Sequence, residues 1–386
     1  MTMTPRYAVI CASHGGNSGM FSVDRAAEHF FTSRGASFDR IVTQDDGRGN
    51  FNDYKLVRDF RQLDEYTHIV YWGDFLTSPS YGTRSFPWRE RKYGTDLKTE
   101  EIINLWRTLF VPTREQKRGR MTVSVSTNFQ NDFDDPENKY SHFIRDTLAR
   151  FEESYDYIYP RDDFSTKNLS RHLSYQGIRK VTTGLDAAFL QPRSAPIQNV
   201  KGDSYFFSYL FGRSKLEGTE ALVESVEKDT GCTGNLLSRW FSLPSGSWEQ
   251  KFGQLQEQLR RSHFVVTDTY HVAVNAMQLG VPVIGIGRTA QRQEGTVGDF
   301  KKRELFTMFG LEEAYIEVQD PNLETSLESL SQRIATILGS WRVQNAPRTV
   351  NNKESTLGYR LLDARRWQYS RTLEHTLGLP APKPTN

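Results

Sequence analysis

The chain has 386 residues with a formal net charge of +2 at neutral pH, and 25% of its residues are charged. This length suits two domains of medium size better than a single core. No apolar run approaches the length of a membrane span, and the near-neutral charge argues against a surface built to coat nucleic acid. The first residues lack the features of a secretory signal, so we expect a cytoplasmic protein. Cys11 and Cys232 lie far apart in sequence and indicate neither a disulfide framework nor a metal site.

Short apolar runs alternate with amphipathic stretches, which is typical of βα units feeding a mostly parallel sheet. In the first half, this pattern predicts a helix over 22–31 and strands over 7–11, 69–72, 122–126 and 157–159. In the second half, it predicts strands over 205–210, 264–266 and 283–286, and helices over about 247–261, 269–279 and 356–377. The predicted fold is α/β, with two Rossmann-like domains facing a central cleft and a C-terminal helix crossing back to the first domain.

The proposed domain limits follow from where this alternation breaks. Around residues 191–202 the chain becomes polar and proline-containing, which favours a boundary there. We therefore expect a first domain over 5–190, a second over 202–345, and a C-terminal helix over 356–378 that packs on the first domain. Two helices show a clear apolar face, formed by Trp248, Phe252, Leu255 and Leu259 in one and by Leu362, Tyr369, Leu373 and Leu377 in the other.

His271 is the most informative candidate for chemistry. Asp268 follows a predicted strand and precedes a helix, so we expect its carboxylate to cap that helix. His271 then lies in the first helical turn at the carboxyl end of a strand, where open α/β sheets bind their ligands. An imidazole at that position can act as a general acid or base, and the helix N-terminus attracts a phosphate or carboxylate. The alternative is a structural histidine held under a loop.

Three further segments follow predicted strands in the first half. The loop containing Gly16, Asn17, Ser18 and Gly19 allows close approach of backbone to a ligand, although it lacks the lysine of a phosphate-binding P-loop. Gly73 and Asp74 form either part of a ligand site or a tight turn with Asp74 as a helix cap. Arg161 offers a guanidinium to a carboxylate or phosphate, or else forms an internal ion pair with aspartate.

Basic clusters occur at residues 89–92, 114–120 and 301–303, and we expect each to be a solvated surface or loop.

Taken in order, several fragments resemble the polysaccharide pyruvyl transferase family, whose members share a two-domain fold of the glycosyltransferase B type. Val266 to His271 is similar to that family's Thr-Asp-Arg-Leu-His or Thr-Asp-Ser-Phe-His stretch. Weaker similarities are carried by residues 17–20, 71–74, 161–169, 184–190 and 301–311. The chain departs from the family at Met20, which replaces an acid, at Thr269, which replaces an arginine thought to contact phosphoenolpyruvate, and at Val272, which replaces glycine.

The resemblance implies transfer of a pyruvyl group from phosphoenolpyruvate, as co-substrate, to hydroxyls of a carbohydrate acceptor, with no other cofactor and no metal. His271 would perform acid/base work and Asp268 would orient the helix start. The implied substrate-binding residues are Gly16, Asn17, Ser18, Gly19, Gly73, Asp74, Arg161, Thr269, Tyr270 and Arg288, with the first six on the acceptor side. Cations that could replace the missing arginine are Arg288, Arg292, Lys301 and Lys302.

Two other functions are compatible with the same residues. One is a glycosyltransferase of the B type that uses a nucleotide sugar, which the departure at Thr269 favours. Its acceptor would be a glycan, a small molecule or a modified DNA base, and the basic segments near Arg89 and Arg118 would then contact DNA. The other is a catalytically silent binding protein that keeps only the fold.

Overall fold

The computed structural model describes residues 4–11, 16–44, 54–131, 133–192, 205–244, 246–288, 299–344 and 357–382. The chain divides into two compact units. The first comprises Met1–Pro192 together with Arg366–Asn386, and the second comprises Arg193–Arg365. Within the described ranges, no helix combines the length and the apolar character needed to span a membrane.

The first unit is built on a parallel six-stranded sheet. Its strands are β1 (Tyr7–Cys11), β2 (Phe38–Val42), β3 (Tyr54–Leu56), β4 (His68–Trp72), β5 (Met121–Thr127) and β6 (Tyr157–Pro160). Their spatial order is β3-β2-β1-β4-β5-β6, and every neighbouring pair is parallel. This is the doubly wound Rossmann order, in which the winding reverses between β1 and β4. A ligand of such a sheet binds outside the carboxyl ends of those two strands.

Helices cover the first sheet and are placed by their apolar faces. They are α1 (Ser18–Thr32), α2 (Phe86–Lys92), α3 (Thr99–Phe110), α4 (Arg114–Lys117), α5 (Ser141–Ser154), α6 (Asp163–Ser170) and α7 (Tyr175–Ile178). On α3, Ile102, Trp106, Leu109 and Phe110 recur at helical spacing and are all buried. Phe151 and Leu148 of α5 join them in the same core.

The second unit has a parallel five-stranded sheet. Its strands are β7 (Phe206–Leu210), β8 (Thr233–Leu236), β9 (Val265–Thr267), β10 (Val283–Gly287) and β11 (Tyr315–Glu317). The order β11-β10-β9-β7-β8 is doubly wound in the flavodoxin manner and reverses between β7 and β9. Its helices are α8 (Thr219–Thr230), α9 (Trp248–Arg261), α10 (Tyr270–Gln278), α11 (Phe300–Met308) and α12 (Leu327–Gln344).

The last helix, α13 (Leu357–Leu377), contributes its C-terminal part to the first unit. There the Tyr7 hydroxyl donates to the carbonyl of Leu377 at 2.8 Å, and Arg34 pairs with Glu374 at 2.6 Å. Before Arg366 the helix belongs to the second unit, where the Tyr359 hydroxyl donates to Val281 O. The prediction that the C-terminal helix returns to the first domain is confirmed.

The α/β prediction with two doubly wound parallel sheets is also confirmed, and each predicted strand is present within one or two residues. Both cysteines are buried, as are the predicted apolar faces of α9 and α13. Helix α1 begins at Ser18 rather than at Ser22, because the Asn17 side chain accepts a hydrogen bond from Gly19 N and caps it earlier. Strands β2, β3, β8 and β11 were not predicted. Strands β3 and β11 have three residues each, β8 contains exposed polar residues, and β2 contains the half-buried charged residues Asp39 and Arg40.

Candidate active site

Asp268 lies at the winding reversal of the second sheet, directly after β9. Its Oδ2 accepts hydrogen bonds from three consecutive backbone amides after β7, those of Gly212, Arg213 and Ser214, at 2.8–2.9 Å. The side chain is fully buried. The prediction that Asp268 caps α10 is therefore wrong. Because β7 ends beside β9, the amides within reach of this carboxylate belong to the neighbouring loop.

The N-cap of α10 is Thr269, which makes no side-chain capping bond. Its backbone is extended, and its hydroxyl donates to Asp268 Oδ1 at 3.1 Å. No side-chain oxygen at the N-cap position therefore binds the first amides of α10. An anionic ligand near this helix start would be attracted by the helix dipole.

Lys302 is a buried cation that joins the ends of three strands. Its Nζ donates to Asp268 O and to Ser214 Oγ at 2.6 Å, and to Ile286 O at 3.3 Å. It also pairs with Asp299 Oδ1 at 2.6 Å. Burial lowers the pKa of Lys302, while the carboxylates of Asp299 and Asp268 act to raise it. Lys302 was a candidate to bind the donor, but its ammonium is instead occupied by contacts within the second unit.

His271 is the second residue of α10 and is half-buried. Its carbonyl accepts from the Asn275 side chain at 2.7 Å, and Asn275 in turn accepts from Gln256 at 2.6 Å. The imidazole meets the Tyr270 ring edge-on, with centroids 5.2 Å apart. On that ring lies a further cation, because Lys301 Nζ is 5.5 Å from its centroid. A cation, a phenol and an imidazole are therefore gathered at the start of α10.

Fewer contacts are described for the two other candidate cations, Arg288 and Arg292. Arg288 directly follows β10 and is half-buried, and its backbone amide donates to Asp299 Oδ2. Asp299 thus fixes both the end of β10 and Lys302. Arg292 lies outside the described residues.

In the first unit, the predicted glycine loop and turn do lie at the winding reversal between β1 and β4. Gly16 is buried with φ of 83°, and Ser18 and Gly19 are buried in the first turn of α1. Gly73 has φ of 106°, and a Cβ there would lie 2.4 Å from Val23 Cγ1. Close packing against α1 is sufficient to require glycine at position 73.

Arg161 is enclosed by carboxylates. Its side chain has no exposed surface and is paired with Asp74, while Asp162 Oδ2 lies 3.5 Å and Asp186 Oδ2 lies 3.8 Å from its nitrogens. This geometry is the internal ion pair that the sequence left open, and it does not present Arg161 to a donor. Asp74 binds that guanidinium from a left-handed backbone, with φ of 26°.

The basic clusters are less solvated than predicted. Arg89, Lys117 and Arg120 are buried, as is Lys302. Arg89 donates to the Tyr81 hydroxyl at 2.9 Å, and the other two bind carboxylates of Asp156 and Asp64. The expectation of a solvated face is wrong for these side chains, because nearby acidic or hydroxyl groups satisfy them inside the unit.

Two features escaped the sequence analysis. One is the row of amides at 212–214, for which the glycine after β7 was the only signal. The other is a groove of about 740 Å³ between α11 and β11, lined by Phe300, Arg303, Thr307, Glu312, Tyr315, Glu317 and Gln319. None of the predicted site residues lines this groove. Among the described residues, no group of His, Cys, Asp and Glu forms a metal-binding cluster.

The family model for polysaccharide pyruvyl transferases matches residues 94–289, which is half of the chain and includes Arg161, Asp268 and His271. The chain belongs to the polysaccharide pyruvyl transferase family. As a member of this family it is a transferase, and the predicted resemblance is confirmed. A search of curated proteins finds no match.

Several solved structures are similar to this polysaccharide pyruvyl transferase family member. The UDP-GlcNAc 2-epimerase from Neisseria meningitidis bound to UDP-GlcNAc is 10% identical, with 96% of this chain and 100% of that chain covered and a TM-score of 0.45. HepE from Anabaena in complex with UDP-glucose is 10% identical, with 97% and 98% covered and a TM-score of 0.47. The O-GlcNAc transferase from Thermobaculum terrenum is 11% identical, with 97% and 68% covered and a TM-score of 0.41.

Proposed function

We propose that this protein transfers a pyruvyl group from phosphoenolpyruvate to two hydroxyls of a sugar. Family membership supports the reaction class, and one observation supports the donor. Lys301 lies over the Tyr270 ring beside His271, at the helix start where Thr269 replaces the family's arginine. A cation from α11 thus reaches the neighbourhood that Thr269 leaves without one.

The proposed reaction balances without a redox partner. A first sugar hydroxyl oxygen bonds to C2 of phosphoenolpyruvate, and C3 takes up a proton and becomes a methyl group. The bond from C2 to the phosphate oxygen then breaks, a second hydroxyl oxygen bonds to C2 to close the cyclic ketal, and the proton of that hydroxyl leaves with the phosphate. The products are the pyruvylated sugar and phosphate. Phosphoenolpyruvate acts as co-substrate, and the proposal assigns no other cofactor.

His271 is the proposed general acid and base. It would take the proton of the first hydroxyl and return one to C3, the role for which an imidazole suits neutral pH. Lys301 would hold an anionic group of the donor, assisted by the dipole of α10, whose N-cap side chain makes no capping bond. Arg288, at the end of β10, is the second proposed anion contact.

For the acceptor, we propose a substrate class and not a single compound. A carbohydrate that carries two suitably spaced hydroxyls is the substrate class that the family indicates. We propose that Gly16, Asn17 and Asp74, at the winding reversal of the first sheet, contribute to its binding. Arg161 then acts by fixing Asp74.

The direct test compares His271→Ala with His263→Ala. His263 is also half-buried in the second unit, but it precedes β9, at the other end of that strand from α10, and its ring contacts the Tyr205 ring at a tilt of 50°. We expect the first variant to lose about 10²–10⁴-fold in phosphate release from phosphoenolpyruvate with a sugar acceptor, and the second to retain activity. Both should keep the wild-type circular dichroism spectrum. Unchanged activity of His271→Ala would show that this histidine is structural and not catalytic.

The donor is tested at Lys301. Loss of a charge-assisted contact costs about 1.5–3 kcal/mol, so Lys301→Met should weaken phosphoenolpyruvate binding by roughly 10- to 150-fold. Arg303→Met removes an exposed cation from the same helix and serves as the control.

The rival donor, a nucleotide sugar, is tested by titrating the wild type beside Thr269→Arg. Tight binding of any nucleotide sugar by the wild type, with no phosphoenolpyruvate binding by either protein, would replace pyruvyl transfer by glycosyl transfer.

A further inference from the structure

The loop after β7 presents three consecutive amides to one point in space. Gly212 N, Arg213 N and Ser214 N all lie 2.8–2.9 Å from the same oxygen, Asp268 Oδ2. Gly212 has φ of 139°, a backbone conformation that favours glycine and lets the chain turn its amides inward. Successive amides that converge in this way form an anion-binding nest.

We propose that residues 212–214 are an anion nest that the chain fills with its own Asp268 carboxylate. Asp268 is then a positioning residue, which ties the end of β7 to the end of β9. The nest lies at the winding reversal, where a doubly wound sheet would otherwise bind the phosphate of a ligand. In this protein, that position is closed to phosphate.

The charges around the nest support its closure. Asp268 is fully buried, and its second oxygen accepts from Thr269 Oγ1. Lys302 binds both rims of the nest, through Ser214 Oγ and Asp268 O, and is balanced by Asp299. The guanidinium of Arg213 interacts electrostatically with both Asp268 and Lys302. The two carboxylates and two cations therefore balance one another, and a phosphate could enter the nest only by displacing the Asp268 carboxylate.

The consequence for the site depends on the proposed function. If phosphoenolpyruvate is the donor, its phosphate must bind away from the amides after β7, which are occupied, and the proposed function assigns it to Lys301 beside Tyr270 and His271. A nucleotide diphosphate held by the β7 loop is excluded in the same way.

The proposal can be tested by removing the Asp268 carboxylate and offering another small carboxylate to the nest. Asp268→Ala removes the carboxylate and leaves room for formate, whereas Asp268→Asn fills the same space without a charge. We expect sodium formate to stabilise Asp268→Ala, shifting its unfolding equilibrium by about 100-fold at a hundred times the dissociation constant. Sodium chloride at equal ionic strength should not do so, and neither the wild type nor Asp268→Asn should respond to formate. An equal response of all three proteins, or a folded alanine variant that ignores formate, would overturn the proposal.

A second measurement holds even where the alanine variant fails to fold. Hydrogen exchange in the wild type should show residues 212–214 strongly protected although they lie in a loop. Asp268→Asn should exchange there on the order of ten-fold faster, because its neutral amide is a weaker acceptor than a carboxylate. Rapid exchange of these amides in the wild type would contradict a filled nest.

These outcomes are separate from those of the proposed function. The formate and exchange experiments report on the nest whether or not the protein turns over phosphoenolpyruvate. Conversely, phosphoenolpyruvate could fail to bind while the nest remains as described. Protection of residues 212–214 by added phosphoenolpyruvate or inorganic phosphate, beyond that in the free wild type, would mean that the nest binds ligand and would overturn its closure.

Discussion

Replacing Lys302 by methionine keeps the aliphatic stem but removes the ammonium that joins three strand ends. In the wild type its Nζ lies 2.6 Å from Asp299 Oδ1, from Asp268 O and from Ser214 Oγ. The side chains of Lys302 and Asp299 are only 3% and 7% exposed. Water therefore cannot replace the lost partner without opening the unit. Asp299 would remain as a buried, uncompensated carboxylate.

The expected loss of stability follows from the uncompensated charge of Asp299. Removing one partner of a buried ion pair costs about 3–5 kcal/mol, so Lys302→Met should destabilise the second unit by that amount. Adding Asp299→Asn removes the stranded charge and should recover part of the loss. We expect a coupling between the two changes of about 0.5–3 kcal/mol, the range typical of residues in one network.

Hydrogen exchange is the appropriate assay, because a protein of two compact units need not unfold in one step. Peptides from β9 and β10 report on the second unit, and peptides from β4 and β5 provide an internal control. A change of less than about 1 kcal/mol in the exchange of β9 and β10 in Lys302→Met would contradict a buried, uncompensated charge at Asp299. Simple additivity of the two substitutions would contradict it as well.

Three further predictions concern the first unit. Burial lowers the pKa of both His29 and His68 below 6.5, so their unfolded forms bind protons more tightly than the folded forms. The free energy of unfolding of this unit should therefore fall as the pH drops from about 7 through 6.5 toward the folded pKa values. In a double variant, His29→Gln with His68→Gln, the free energy of unfolding should depend less on pH over that range. Glu374→Ala breaks the buried pair with Arg34 and should lower the free energy of unfolding by about 3–5 kcal/mol, measured by urea titration. Arg34→Met combined with Glu374→Leu should recover most of that loss in the same assay. A Cβ at Gly82 would lie 2.2 Å from the buried Trp106 ring, so Gly82→Ala should cost about 1–3 kcal/mol, and an unchanged tryptophan fluorescence midpoint would show that α3 can move aside.

The sequence alone predicted those features that depend on neighbouring residues. The buried runs of β1, β4, β7 and β10 and the spacing of Trp248, Phe252, Leu255 and Leu259 are local periodicities, so the α/β class and the chief strands and helices could be read directly. The position of His271 at the start of α10 followed from the same local pattern. Short strands such as β3 and β11 carried too few residues for a periodicity to be recognised.

The partners of the charged side chains required the tertiary structure. Asp268 had a suitable sequence position for a helix cap, yet it binds amides 54 to 56 residues earlier in the chain. Arg161 had a suitable position for a substrate anion, yet Asp74, 87 residues away, encloses it. In a parallel sheet, the carboxyl ends of adjacent strands are separated in sequence by a whole crossover helix or more. Which carboxylate meets which amide or guanidinium is therefore set by strand order, and no local pattern records it.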